Sequence, residues 1–193
     1  MAKIILEFNN TTEPSRGKLL VSEPFIPDPY FKRSVVLLTE YNKEGSVGFI
    51  LNKITGHKLQ KVIGGFPQFN GALYFGGPVN KDQLFYIHTA GKTIEGSIQI
   101  KKGLYWGGDF DTVKDMIKTK KINETEIRFF IGYSGWEAEQ LEREIKEKTW
   151  MVSDTTVLNV MKADTGKMWS DTLKTLGADY AAMANFPEDP ILN

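Results

Sequence analysis

Few residues in this chain are of a type and spacing able to do chemistry. Gly132-Tyr133-Ser134-Gly135-Trp136 follows an apolar run and precedes a helical pattern, the setting in which a hydrolase presents its serine on a sharp elbow. That elbow needs G-x-S-x-G, and Trp136 stands where the second glycine would let strand and helix pack closely. A serine nucleophile also needs a base, and the only histidines are His57 and His88. The residues favour a turn at Gly135, a cap from Ser134 and a core position for Trp136. His88 lies in the alternating run Leu84 to Thr89, where it shares a face with Leu84 and Tyr86 and reads as structural. His57, between Gly56 and Lys58, reads as a loop residue. Asp109 and Asp111 have the donors to join a third acid around Mg²⁺, but two carboxylates at a helix start are explained by capping. A hydrolase using Ser134 or the Asp109/Asp111 pair with His88 is the rival reading, because separation along the chain does not fix distance in space.

Other motifs lead to turns. Gly91-Lys92-Thr93 ends like a phosphate-binding loop, but G-x-x-x-x-G-K-[ST] requires Gly where Tyr86 stands, so a β-turn is expected. Gly76-Gly77-Pro78 makes a turn or a nest of amides able to hold an anion, with Lys81 nearby. The chain has no Cys, which excludes disulfides, thiolate metal sites and thiol nucleophiles. Two isolated histidines do not make a metal site without clustered acids. Neither a cofactor nor a metal is expected.

The segment Asp28-Pro29-Tyr30-Phe31-Lys32-Arg33-Ser34 carries the strongest binding character. Pro27 and Pro29 stiffen it, Tyr30 and Phe31 are bulky, and Lys32-Arg33 place adjacent charges before a strand. Such a loop suits a peptide, a nucleotide or a polyanion; alternatively Phe31 plugs one end of a sheet while the charges face water. Asn52 closes the run Gly48 to Leu51 and can satisfy backbone groups at a turn. If that run lies beside the Gly76 turn, the binding surface comprises Asp28, Tyr30, Phe31, Arg33, Asn52, Gly76 and Gly77.

These residues need elements to position them. Met1 to Phe8, followed by the polar stretch Asn9 to Ser15, reads as an N-terminal arm spanning residues 1–16. Short β-branched and aromatic runs follow: Lys18 to Ser22, Ser34 to Glu40, Val47 to Asn52, Ala72 to Phe75, Leu84 to Thr89 and Ile94 to Ile100. Asn42-Lys43-Glu44-Gly45 supplies a tight connection, so Val35 to Glu40 and Ser46 to Leu51 should pair antiparallel. Asp109 or Asp111 caps a helix bearing Val113, Met116 and Ile117. A strand over Ile127 to Tyr133 is followed by a helix from Trp136 to Lys148, with Ala138, Leu141 and Ile145 on one stripe. Its pairs Glu139–Arg143, Glu142–Lys146 and Glu144–Lys148 have i,i+4 spacing. Thr149 to Val152 adds a strand, Ser153 or Asp154 caps a helix with Val157, Leu158 and Met161, and a last helix runs from Lys167 to Gly177. Residues 187–193 form an irregular tail because of Pro187 and Pro190. Strands early and helices late indicate an α+β protein, read as a single domain over residues 1–193.

Lys plus Arg and Asp plus Glu each number 24, giving no formal net charge. That balance offers no global attraction to nucleic acid or anionic lipid, so direct action on DNA is disfavoured. No apolar run approaches the ~20 residues of a membrane-spanning helix, nor the ~7–15 of a signal peptide, so a cytoplasmic protein is expected.

Five segments together resemble the YqgE/AlgH family: Gly17 to Pro24, Asp28 to Leu38, Gly45 to Asn52, Gly76 to Val79, and Gly132 to Trp136 continuing to Gln140-Leu141-Glu142. Glu139 stands where that family usually has Gly, and close backbone approach there would be obstructed by its side chain. The resemblance implies a mostly antiparallel, barrel-like or bifurcated sheet with helices packed outside. It implies no enzymatic activity, and some relatives carry the label of transcriptional regulator. The expected function is a non-enzymatic regulatory or adaptor role, binding a protein or small ligand.

Overall fold

Leu19-Leu20-Val21 and Val35-Val36-Leu37-Leu38 are continuous apolar runs, and every one of these residues is buried. Successive strand residues point to opposite faces, so such runs require a sheet covered on both sides. A computed structural model of the chain, describing residues 11–162 and 164–186, meets that requirement. Its strands are β1 (Leu19–Ser22), β2 (Val35–Asn42), β3 (Gly45–Ile50), β4 (Leu73–Phe75), β5 (Val79–His88), β6 (Ile98–Lys101), β7 (Leu104–Trp106), β8 (Ile127–Glu137) and β9 (Trp150–Ser153). The helices are α1 (Leu59–Val62), α2 (Phe110–Lys118), α3 (Gln140–Lys146), α4 (Val157–Lys162), α5 (Met168–Thr175) and α6 (Ala178–Met183).

The nine strands form one open sheet in the order β6-β7-β5-β8-β3-β2-β1-β9, with β4 branching from β8. All pairings are antiparallel except β4 with β8. The sheet forks rather than closing into a barrel. One edge of β8 pairs with β5; the other pairs first with β4 through Phe129, Phe130 and Ile131, then with β3 through Ser134 to Glu137. Alternate residues divide the core. Leu19, Val21, Val35 and Leu37 pack with Met168, Trp169 and Leu173 beneath α5, whereas Leu20, Val36 and Leu38 pack with Trp136, Leu141 and Trp150 beneath α3. A third cluster lies under α2, with Phe129, Val113 and Ile117.

The chain between β4 and β5 must cross from one edge of β8 to the other, and Gly76-Gly77-Pro78 does so against Gly132. A Cβ on Gly76 would lie 2.2 Å from the Gly132 oxygen, one on Gly77 2.3 Å from the Tyr133 oxygen, and one on Gly132 2.4 Å from the Gly77 oxygen. Two backbones touch here, and no other residue type fits.

Several sequence expectations are met: the Val35–Glu40 and Ser46–Leu51 strands pair antiparallel, and Asp109 caps α2. Others are corrected. The segment Gly132 to Trp136 is neither turn nor cap: β8 continues to Glu137 because β3 pairs with it there, and the helix starts only at Gln140. The turn falls at Glu139, whose φ of 61° is left-handed. Glycine suits that position for its backbone freedom, not for a close approach. Ile94 to Ser97 is not strand, since Gly96 at φ +74° breaks the extension and β6 starts at Ile98. Gly91–Thr93 is a 3₁₀ turn. The Lys102-Gly103 turn of the β6–β7 hairpin, with Gly103 at φ +83°, and helix α6 are absent from the expectation. Thr156 caps α4 by accepting from the Asn159 amide, while Ser153 is buried in β9 and Asp154 pairs with Lys18. Of the arm at residues 1–16, only 11–16 are described, with Arg16 donating to the Gln99 carbonyl. The tail at 187–193 lies outside the described residues.

Candidate functional site

The loop between β1 and β2 is held at Asp28, Tyr30, Phe31 and Arg33. The Asp28 carboxylate accepts from the Tyr30 amide at 2.8 Å and its carbonyl from the Phe31 amide, folding the loop back on itself. Phe31 turns inward, 6.1 Å from the Trp136 ring and 5.3 Å from the Trp150 ring. Arg33, at φ 50°, lays its guanidinium 4.7 Å over Trp169 and donates to the Phe186 carbonyl. Asn52 clamps the strand that follows, accepting from the Val35 amide at 2.9 Å and donating to the Arg33 carbonyl at 2.9 Å.

Tyr30 turns the other way and is 41% exposed. Its ring stacks on Phe75 at 5.6 Å. The Lys81 ammonium lies 4.4 Å over the ring and donates to the phenol oxygen at 2.8 Å. Lys53 reaches the Pro29 carbonyl at 3.4 Å, and Lys32 is exposed. Phe75 and Lys81 flank the Gly76-Gly77-Pro78 crossing, so that crossing carries both to the loop. The Gly76 carbonyl accepts from the Ile50 amide and from Ser134 Oγ, and its amide donates to the Ile131 carbonyl. These backbone groups are directed at neighbouring strands instead of forming an open nest.

The residues singled out for chemistry do not assemble. Ser134 is buried in β8 and its hydroxyl donates to the Gly76 carbonyl at 3.0 Å. His88 pairs with Ile127 at the far end of β8, and a strand rise of about 3.3 Å per residue separates the two by roughly 20 Å. Asp109 accepts from the Thr112 amide and hydroxyl, which holds its carboxyl below the usual range. Asp111 pairs with Lys114. Among the described residues, no three His, Asp or Glu side chains converge in the manner of a metal site.

His88 does meet a serine, but a different one. Its Nε2 lies 3.0 Å from Ser97 Oγ and 3.1 Å from the Gly107 carbonyl, and Ser97 Oγ donates to the Ile94 carbonyl at 2.6 Å. Two carbonyls and one hydroxyl are satisfied together only if Nε2 carries the proton and donates it. The imidazole therefore does not act as a base toward Ser97. Burial also pushes its pKa below the ordinary value, and Nδ1 has no partner among the described residues to orient it.

Two polar arrangements are built from residues that form no recognisable motif in the sequence. Glu144 Oε2 accepts from both Trp136 Nε1 (2.9 Å) and Trp150 Nε1 (2.8 Å), while Oε1 accepts from Gln140 (2.8 Å). This clasp, in place of the expected Glu144–Lys148 pair, holds the two indoles on which Phe31 rests. Arg128 is 3% exposed, lies 4.0 Å over the Tyr74 ring, and donates to the Leu51 and Val160 carbonyls at 2.7 and 2.5 Å. Burial lowers its pKa. An isolated Arg inside the apolar run Ile127 to Ile131 was the available signal.

Fold and site together define an α+β protein on an open, forked, nine-stranded sheet, bearing an ordered aromatic and basic loop. The AlgH-like family model matches residues 19–181, and the chain belongs to that family. A UPF0301 protein of Bacteroides thetaiotaomicron is 47% identical over 186 residues, covering 96% of this chain and 94% of the relative. Two solved structures share the fold. Protein DIP2367 from Corynebacterium diphtheriae has a TM-score of 0.76 at 22% identity, covering 91% of this chain and 94% of its own. The AlgH protein from Pseudomonas aeruginosa has 0.72 at 24%, covering 91% and 97%. No helix among the described residues is long and apolar enough to cross a membrane.

Proposed function

We propose that this chain is a non-catalytic regulatory or adaptor protein that binds a protein partner through the loop Asp28 to Arg33. The observation carrying this reading is the division of labour around Tyr30. Binding hot spots are enriched in aromatic residues held rigidly at the surface, and little ordering entropy remains to be lost when the anchor is already fixed. Tyr30 meets that description, being exposed yet held by Phe75 and Lys81. In this assignment Tyr30 makes the contact. Asp28, Phe31, Arg33 and Asn52 hold the loop, and Gly76 and Gly77 deliver Phe75 and Lys81 to it. A folded-in Phe31 and tethered Arg33 favour a surface contact over a deep small-molecule site.

Site-specific photocrosslinking tests it. Tyr30 is replaced by benzoylphenylalanine in the full chain, with Lys121, an exposed residue between α2 and β8, replaced likewise as control. A discrete adduct from position 30 and none from 121 is expected in cells. Indistinguishable patterns from the two positions would refute the assignment.

A further inference from the structure

We infer that the partner segment received by Tyr30 is acidic, an inference that rests on the adaptor assignment and adds the chemistry of its partner. Three lysines belong to or contact the loop that carries Tyr30, and they come from three different parts of the chain. Lys32 belongs to the loop, Lys53 follows β3 and reaches the loop carbonyl of Pro29, and Lys81 comes from β5 and lies across the ring. Lys32 and Lys81 form no ion pair among the described residues, while the Asp28 carboxylate is engaged by the Tyr30 amide.

Other acids gather at a different place, where Glu40, Glu44 and Glu137 line an open hollow of about 630 Å³ at the tip of the β2–β3 hairpin. Charge complementarity steers encounter and selects partners more than it adds affinity, and exposed pairs are screened by salt. A carboxylate-bearing segment would accept hydrogen bonds from the two ammonium groups while its apolar atoms pack on the edge of the tyrosine ring. Nucleic acid is the poorer fit. Nonspecific single-strand binding relies on stacking bases against free aromatic faces, and the Tyr30 ring is stacked on Phe75 and covered by Lys81.

Fluorescence anisotropy with the full chain tests this, using a fluorescein-labelled twelve-residue Glu-Glu-Leu repeat peptide as probe. A Lys-Lys-Leu repeat of the same length and a single-stranded oligonucleotide serve as comparisons. At low salt the acidic peptide binds and the other two do not. Binding falls at least about fivefold at 0.3 M salt, and at least about tenfold in Lys32→Glu/Lys81→Glu. Lys120→Glu/Lys121→Glu, an equal charge change remote from the loop, leaves it unchanged. Absence of acidic-peptide binding, equal loss in both double variants, or preference for the oligonucleotide would each overturn the inference. Melting curves confirm that the variants fold. If the acidic peptide fails while position 30 still crosslinks a partner, the acidic chemistry falls and the adaptor assignment stands. If position 30 crosslinks nothing, that assignment falls by itself.

Discussion

Replacing Glu144 by Ala should destabilise the protein by about 3–5 kcal/mol, because hydrogen bonds to a charged group contribute about 1.5–3 kcal/mol each and orphaned buried donors cost about 1–3. One carboxylate oxygen serves two indole N–H groups, on tryptophans only 6% and 2% exposed, so both donors have little access to water. Glu144→Gln should cost less, about 1–2 kcal/mol. Its amide oxygen can still accept from both indoles, but its NH₂ then faces the Gln140 NH₂. Gln140 cannot flip without cost, since its oxygen accepts from the Glu137 amide. The assay is equilibrium urea unfolding at pH 7, followed by tryptophan fluorescence and analysed by linear extrapolation. A Glu144→Ala variant within about 0.5 kcal/mol of wild type, the range of ordinary surface changes, would refute the clasp. The consequence reaches the proposed binding loop, because Phe31 rests on both indoles and Tyr30 adjoins it.

Glu139→Gly should raise stability by roughly 0.5–1 kcal/mol, seen as a higher urea midpoint, since it relieves a left-handed non-glycine residue. Gly132→Ala should leave little folded protein by circular dichroism, because the added Cβ meets the Gly77 oxygen at 2.4 Å. His88 is buried with a lowered pKa, so the unfolded chain takes up its proton first as pH falls. The stability it contributes is whole above the ordinary value of 6.5 and declines below it, toward the lowered folded value. His88→Gln should flatten that decline in urea midpoints measured from pH 7.5 to 5.

Local chemistry made much of the framework legible. Unbroken apolar runs demanded a sheet buried on both faces, Gly45 closed the β2–β3 hairpin, and Asp109 and Asp111 marked the start of α2 because the first-turn amides need an acceptor, a role the structure gives to Asp109. The composition of the loop at Asp28 to Arg33 was equally visible. Its division was not: adjacent Tyr30 and Phe31 have similar side chains, and only the position of Trp136, Trp150 and Phe75 decided which turned inward. The length of β8 was hidden for the same reason. Gly132 to Trp136 has the composition of a turn, and its extended state comes from β3 pairing alongside. Tertiary structure alone set His88 of β5 beside Ile127, at the end of β8 away from Ser134, and matched Glu144 to two indoles. Which side chains meet is decided by how separate elements pack, and propensity and spacing carry no information about that.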